Sequence, residues 1–443
     1  MARVSEKSVT DQPKSICVLG LGYIGLPTAS MFATHGLKVT GVEINPAVLE
    51  TLSRGDIHIE EPGLSTVVKA AFASKNLQLS PKPVAADVFI IAVPTPYKES
   101  HGASPVADMS YVTVAAESIL PVLKKGDLVI LESTSPPGTT RDLIVPILQK
   151  TGLKVGADIG AAYCPERVIP GMALKELIGN DRVVGAIDQR WAEVTRKLYK
   201  SFVSGEIFLT EPTVAEMVKL LENTFRDVNI ALANEVALLC EKLGINVWEV
   251  IQIANRHPRV NVHKPGPGVG GHCISVDPWF LVEKFPNDAQ IVRLARTVND
   301  KMPGIIVDRI ATLMKGKTSG KITILGLAYK GNVNDDRESP GVSVVRLLKS
   351  KFSSWELAIY EPHVKSKEFA TVGLEEAFRG SDLAVVLTAH DEYKFLDPAA
   401  VAGLMARRLV LDTHNLLKSE RWVPAGFDLR VFGKGAIEAA PVR

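Results

Sequence analysis

The sequence predicts an α/β protein of two doubly wound halves joined by a long central helix. Three observations predict it. Aliphatic runs that read as strands alternate with helical stretches over 15–205 and again over 316–443, the pattern of parallel βαβ units. Between them, TVAEMVKLLENTFRDVNIALANEVALLCEKLG opens a region of helical periodicity with few breakers, about 213–255. And 443 residues exceed what one hydrophobic core supports, so several domains are expected.

The elements follow in order. MARVSEKSVTDQPK (1–14) is polar, has no apolar run, and reads as a disordered start rather than a signal peptide. SICVLGLGYIGLPTASMFATHG followed by KVTGVEIN reads strand, glycine turn, helix, strand. ADVFIIAVPTP (86–96), GDLVILESTSPPGTT (126–140) and GAAYCPERVIPG (160–171) are aliphatic strands that end in polar loops. Open α/β sheets bind ligands at the carboxyl ends of their strands, so these loops are where chemistry is expected. The middle region, 206–315, is expected to hold the long helix, a glycine-rich loop and a second helix over DAQIVRLARTVNDKM. KITILGLAYKGNVNDDRES (321–339) opens a second Rossmann-like series, continued by ELAIYEP, SDLAVVLTAH and RLVLDTHN. Its first turn lacks the G-x-G-x-x-G fingerprint.

Composition narrows the function. With 46% hydrophobic and 23% charged residues the chain is an ordinary globular protein, and a net charge of +2 does not suggest binding nucleic acid or a membrane surface by bulk charge. Cys17, Cys164, Cys240 and Cys273 are far apart and form no C-x-x-C pair, so neither a disulfide framework nor a metal site is expected. No run reaches the roughly 18 apolar residues of a membrane span. A cytoplasmic protein is the expectation.

Gly20, Gly22 and Gly25 form G-L-G-Y-I-G between a strand and a helix. The first glycine permits a tight turn, the second admits a pyrophosphate, and the third lets helix and strand pack closely. A glycine turn that merely packs helix on strand would look the same. Here Glu43 ends the next strand, where a carboxylate binds ribose hydroxyls and repels a 2′-phosphate, so NAD is favoured over NADP.

Three further groups stand out. Lys219, Asn223 and Arg226 share one face of the long helix, which a solvated surface would also explain. His257, Arg259 and Lys264 cluster in HPRVNVHKPG, where cations beside glycines suit a diphosphate. Cys273 sits in PGPGVGGHCISVDPWF between His272 and Asp277. Free cysteines are more often buried and inert, but the flanking glycines expose N–H groups that could hold an oxyanion.

These motifs, in this order, resemble the nucleotide-sugar 6-dehydrogenase family of UDP-glucose and GDP-mannose dehydrogenases: GLGYIGLP, VPTP, ESTSPPG, YCPERV, AEMVKLLENTFRDVNIA, GVGGHCISVDP and GLAYKGNVNDDRESP. ENTFRDVNIA, NRHPRVN and GGHCISVDPWF bring it nearest to the branch that acts on UDP-N-acetyl-D-mannosamine. The resemblance implies a four-electron oxidation of the sugar C6 alcohol to a carboxylate with two NAD⁺, through a thiohemiacetal and a thioester on Cys273. It makes Lys219 and Asn223 oxyanion or proton-handling groups, Asp277 the manager of the hydrolytic water, and Thr134 and Glu166 the holders of a water near C6. Gly20, Gly22, Tyr23, Ile24, Gly25, Glu43, Thr95, Thr134 and Thr140 would meet NAD, with Arg337 approaching it from the C-terminal half. Arg167, Val168, Arg226, His257, Arg259, Gly270, Tyr329 and Lys330 would bind the UDP-sugar together with Lys219 and Asn223. A homodimer centred on the long helix is implied too.

The sequence departs from the UDP-glucose branch at Arg167 and Pro170 and at His272, and it has His414 in D-T-H where the family usually has a basic residue after D-x. UDP-N-acetylglucosamine and UDP-glucose remain rival substrates. A non-catalytic NAD-sensing protein and a two-electron alcohol dehydrogenase are rivals of other kinds.

Overall fold

The computed structural model describes residues 13–100 and 103–435. The disordered start expected over 1–14 therefore lies outside the described residues as far as residue 12, as does 436–443. The chain divides into two units, Met1–Glu222 with Trp279–Phe285, and Asn223–Pro278 with Pro286–Arg443.

The first unit contains β1 (Ser15–Leu19), β2 (Lys38–Val42), β3 (Leu77–Ser80), β4 (Val88–Ile91), β5 (Tyr97–Ser100), β6 (Ala103–Ala107), β7 (Leu128–Leu131), β8 (Gly160–Tyr163), β9 (Arg182–Ala186) and β10 (Ile207–Thr210). Eight of them form one sheet in the order β10-β9-β8-β7-β4-β1-β2-β3. With the β5–β6 hairpin set aside, the first six strands of the sheet take the doubly wound dinucleotide-binding order. VFII in β4 and LVIL in β7 are buried throughout, as parallel strands covered on both faces must be. Alternation divides the core: Ile16 and Val18 join the layer of Phe32 and Trp191, whereas Cys17 and Leu19 join that of Phe89 and Ile119. The winding reverses between β1 and β4, and the glycine turn begins there.

The second unit has β11 (Gly320–Leu325), β12 (Trp355–Tyr360), β13 (Leu383–Val386), β14 (Leu409–Asp412) and β15 (Asp428–Val431), in the order β12-β11-β13-β14-β15. All four pairings are parallel. GLAY (326–329) repeats the geometry of GLGY (20–23). Gly20 and Gly326 both have positive φ, 88° and 99°. Leu21 N–H donates to the Glu43 carboxylate, and Leu327 N–H to that of Glu361, at 3.2 and 2.6 Å. The likeness stops at the ligand side. Ala328 replaces Gly22, and the closed-off Glu361 side chain also accepts from Ala328 N–H, His363 N–H and His390. Burial alone would raise this carboxyl, but His390 and the N–H donors hold it down at about 2. Its oxygens hold the turn together, with none turned to a ribose.

The central helix runs Pro212–Leu243. The periodicity expected over about 213–255 is split by Gly244, whose φ of +71° ends this helix. Asn246 then caps a new one, Val247–Ala254. The helix expected over DAQIVRLARTVNDKM is longer, Gln290–Leu313, because it continues through Pro303, which reads in sequence as a stop. The sequence reading names no strand at β3, β5, β6, β9, β10 or β15; LQLS, YKES and DLRV carry no continuous aliphatic run, and RVVGA and IFLT are short.

Candidate functional site

The glycine turn is built for close approach. A Cβ on Gly25 would lie 1.8 Å from the Gly20 carbonyl oxygen, so only glycine lets the helix Gly25–Thr34 start this near β1. A Cβ on Gly20 would meet the Ala92 carbonyl oxygen at 2.7 Å, whereas the space beside Gly22 is open. Ile24 occupies the N-cap position and contributes no side-chain cap, which leaves the helix start to a ligand anion. Tyr23 is half-buried, its hydroxyl 3.4 Å from the Glu60 carbonyl oxygen. Glu43 follows β2 and accepts from Leu21 N–H and, at 2.9 Å, Asn45 N–H. These residues fit NAD: an open glycine for the pyrophosphate, an uncapped helix start, and a carboxylate at the ribose end.

The neighbouring strand ends hold the rest of the first unit's predicted residues. Thr95 follows β4 and Thr134 follows β7, both half-buried. Thr140 is fully buried, and its N–H and hydroxyl both donate to Glu216 at 2.7 Å. Glu166, after β8, is buried: Arg182 donates to one carboxylate oxygen at 2.5 Å and Arg167 N–H to the other at 2.8 Å. The Arg167 guanidinium meets Glu222 at 2.6 Å, and Val168 packs against the core.

Lys219 and Asn223 are buried one turn apart on the central helix, and Arg226, on the same side, is exposed. Of the four cysteines, only Cys273 is exposed. Burial pushes the Cys17 thiol up to about 11 and that of Cys164 to about 12, which makes both poor nucleophiles. The Cys273 carbonyl accepts from Val276 N–H and Asp277 N–H at 3.1 and 2.8 Å, so the cysteine stands one turn ahead of the helix Asp277–Lys284. Asp277 is buried, and Asn223 donates to its carboxylate at 2.5 Å. His272, next to the cysteine, is pushed down to about 4 by burial and by Arg337, so it is neutral at pH 7.

The glycines before Cys273 let the loop lie close to the turn after β11. A Cβ on Gly270 would fall 2.5 Å from the Glu338 carbonyl oxygen and 2.9 Å from Tyr329 Cβ. Gly271 N–H donates to the Arg337 carbonyl, and the Arg337 side chain pairs with Asp335 through two bonds of 2.8 and 2.7 Å. Tyr329 is half-buried and Lys330 exposed. His257 and Arg259 are exposed in the loop that follows the helix Val247–Ala254. In the second unit, then, the structure brings together Asn223, Asp277, the cysteine loop, Gly270 and Tyr329.

Sequence reasoning missed the groups that hold this loop in place. Asn234 accepts from Gly266 N–H at 2.9 Å and donates to Asn299 at 3.0 Å; Asn299 donates to Asp227, which pairs with buried Arg296 at 2.6 Å. Asn229 bonds the Asn261 carbonyl and His263 N–H. The signal was faint: ENTFRDVNIALANE sets polar residues among aliphatic ones along the helix, and buried polar groups need partners.

A dinucleotide turn of this build places the first unit in the class of NAD-binding α/β domains. Models of the UDP-glucose/GDP-mannose dehydrogenase family match in chain order: the NAD binding domain over residues 14–203, the central domain over 213–301 and the UDP binding domain over 323–419. The chain belongs to this family. It is 47% identical to the UDP-N-acetyl-D-mannosamine dehydrogenase of Methanococcus maripaludis over 428 residues, 96% of this chain and 98% of the relative. It is 48% identical to that of Yersinia pestis over 410 residues, 87% and 96% of the two chains. The solved UDP-D-ManNAc dehydrogenase of Pyrococcus horikoshii superposes with a TM-score of 0.88 at 41% identity, covering 95% of this chain and 99% of that one.

Proposed function

We propose that the protein oxidises the C6 alcohol of UDP-N-acetyl-D-mannosamine to the carboxylate of UDP-N-acetyl-D-mannosaminuronate, consuming one water and two NAD⁺. The observation that carries the chemistry is the exposed Cys273 one turn before Asp277, whose carboxylate is held by Asn223 on the helix that also bears Lys219. The sugar is carried by the likeness to relatives that bear this activity's name at 47–48% identity. Gly20, Gly22, Gly25 and Glu43 at the glycine turn would hold NAD⁺, which would supply the hydride acceptor for each of the two oxidations at C6.

The chain's own residues do the remainder. A water held by Thr134 and Glu166 takes the hydroxyl proton as the alcohol becomes an aldehyde. Cys273 Sγ adds to the aldehyde carbon, and Lys219 and Asn223 donate to the oxygen that gains charge. After the second oxidation the sugar is a thioester on Sγ. A water directed by Asp277 adds to its carbonyl, the C–S bond breaks, and the thiolate leaves with the carboxylate formed. Arg167, Val168, Arg226, His257, Arg259, Gly270, Tyr329 and Lys330 hold the UDP-sugar, and Arg337 and Thr140 complete the NAD surroundings. The test is a substrate panel followed by NADH absorbance: two NADH per UDP-N-acetyl-D-mannosamine are expected. A preference for UDP-glucose or UDP-N-acetylglucosamine would overturn the sugar, and one NADH per sugar the four-electron reaction.

The same reading makes the protein a homodimer. Met217, Leu221, Phe225, Leu232, Leu239 and Leu243 leave an apolar stripe exposed along the central helix, and a stripe of that length on a helix fits a second copy of itself. No helix among the described residues is long and apolar enough to cross a membrane. A cytoplasmic site of action completes the reading.

A further inference from the structure

Behind the strand ends of the first unit lies a closed polar cluster of which the roles above use only Glu166. Glu132 follows β7, Cys164 and Glu166 follow β8, Arg182 opens β9, Tyr199 lies on the helix Gln189–Tyr199, and Thr28 lies on the helix of the glycine turn. All six are buried. Arg182 donates to Glu166 at 2.5 Å and to the Leu177 carbonyl at 3.3 Å, and its guanidinium lies 4.9 Å from the centre of the Tyr199 ring. Tyr199 hydroxyl donates to one Glu132 oxygen at 2.7 Å; the other Glu132 oxygen is buried without a partner. Two carboxylates thus share one cation in a closed space.

We propose that Arg182 is a positioning residue of the reaction, holding the Glu166 carboxylate in place, and that Glu132, bonded to Tyr199 beneath the same guanidinium, is the carboxyl that would compete for it. The inference rests on the reading of Glu166 as a water holder. Three features support it. Arg182 is a buried cation whose one carboxylate partner by hydrogen bond is Glu166. Arg167 N–H occupies the other Glu166 oxygen, so the two bonds fix the plane of the carboxylate. Burial and the nearby Glu166 push the Glu132 carboxyl up to about 7 although Arg182 opposes this, so a second negative charge beside Arg182 develops only as the pH rises through that value.

The test is a double-mutant cycle on the full-length enzyme with UDP-N-acetyl-D-mannosamine and NAD⁺: Glu166→Gln, Arg182→Gln and the pair. Arg182→Gln is expected to lower kcat by about 10- to 100-fold, the worth of one charged hydrogen bond, with the KM for NAD⁺ within about threefold. In the Glu166→Gln background it should lower kcat no further, and Arg182→Lys should recover part of the loss. Losses that multiply would overturn the positioning role while leaving Glu166 in place. Wild-type kcat in Glu166→Gln would instead overturn the reading of Glu166 itself. Should Arg182→Gln not fold, Glu132→Gln gives the second measure: removing the competing carboxylate should move the alkaline limb of the kcat–pH profile upward. An unmoved limb overturns the role of Glu132.

Discussion

Asn223 donates an amide hydrogen of 2.5 Å reach to the Asp277 carboxylate, which joins the central helix to the first residue of the helix after Cys273. Both side chains are buried, so the bond is shielded from water and fixes the carboxylate relative to the cysteine. Asp277→Asn keeps the shape but removes the charge that orders a hydrolytic water. Rapid-quench experiments are expected to show NADH released in a burst followed by slow steady turnover, with sugar trapped on the protein. Steady turnover at the wild-type rate would remove Asp277 from hydrolysis.

Cys273→Ser is expected to form no net acid from the alcohol, because serine at neutral pH supplies neither the nucleophile nor the leaving group of a thioester. Mass spectrometry of the product and NADH yield check it together. Two NADH per sugar from this variant would sink the covalent route.

Lys219→Ala should lower kcat by about 10²–10³, the worth of one preorganised oxyanion donor, with the fold retained. Circular dichroism and steady-state kinetics give the two readouts. An unchanged kcat would take Lys219 out of the chemistry.

Gly25→Ala places a methyl group where the Gly20 carbonyl oxygen already lies, 1.8 Å from the new carbon. The helix must move away from β1, so NAD binding is expected to be lost in calorimetry and the Tm lowered. NAD affinity equal to wild type would show that this close approach is dispensable.

Glu132 makes stability depend on pH. Its folded pKa of about 7 lies above the usual 4.5, so the folded protein binds the extra proton between those values. The burial cost is absent below pH 4.5, grows as pH rises, and is fully present above 7. Glu132→Gln keeps an acceptor for Tyr199 and removes the charge. It should raise stability at pH 8 by on the order of 1–3 kcal/mol and change nothing near pH 4. Thermal melts across that range measure it; an equal Tm gain at both ends would contradict the sign.

What the sequence determined by itself was whatever the backbone demands locally. In G-L-G-Y-I-G, Gly20 and Gly25 must be glycine because of contacts within a few residues and one neighbouring strand, and PGPGVGGHC must be open because the loop lies against the turn after β11. Such demands appear at fixed spacing and can be read without a fold. The aliphatic strands and the two doubly wound series were legible for the same reason. Only the tertiary structure decided the partners. Thr140 meets Glu216, 76 residues away; Gly266 meets Asn234 on the central helix; Arg182 stands between Glu166 and Tyr199. Each of these is a polar group that burial forces to find a partner, and which partner it finds depends on the order of strands in the sheet. Spacing along the chain carries no record of that order, which is why Glu132 and Arg182 came to light only in three dimensions.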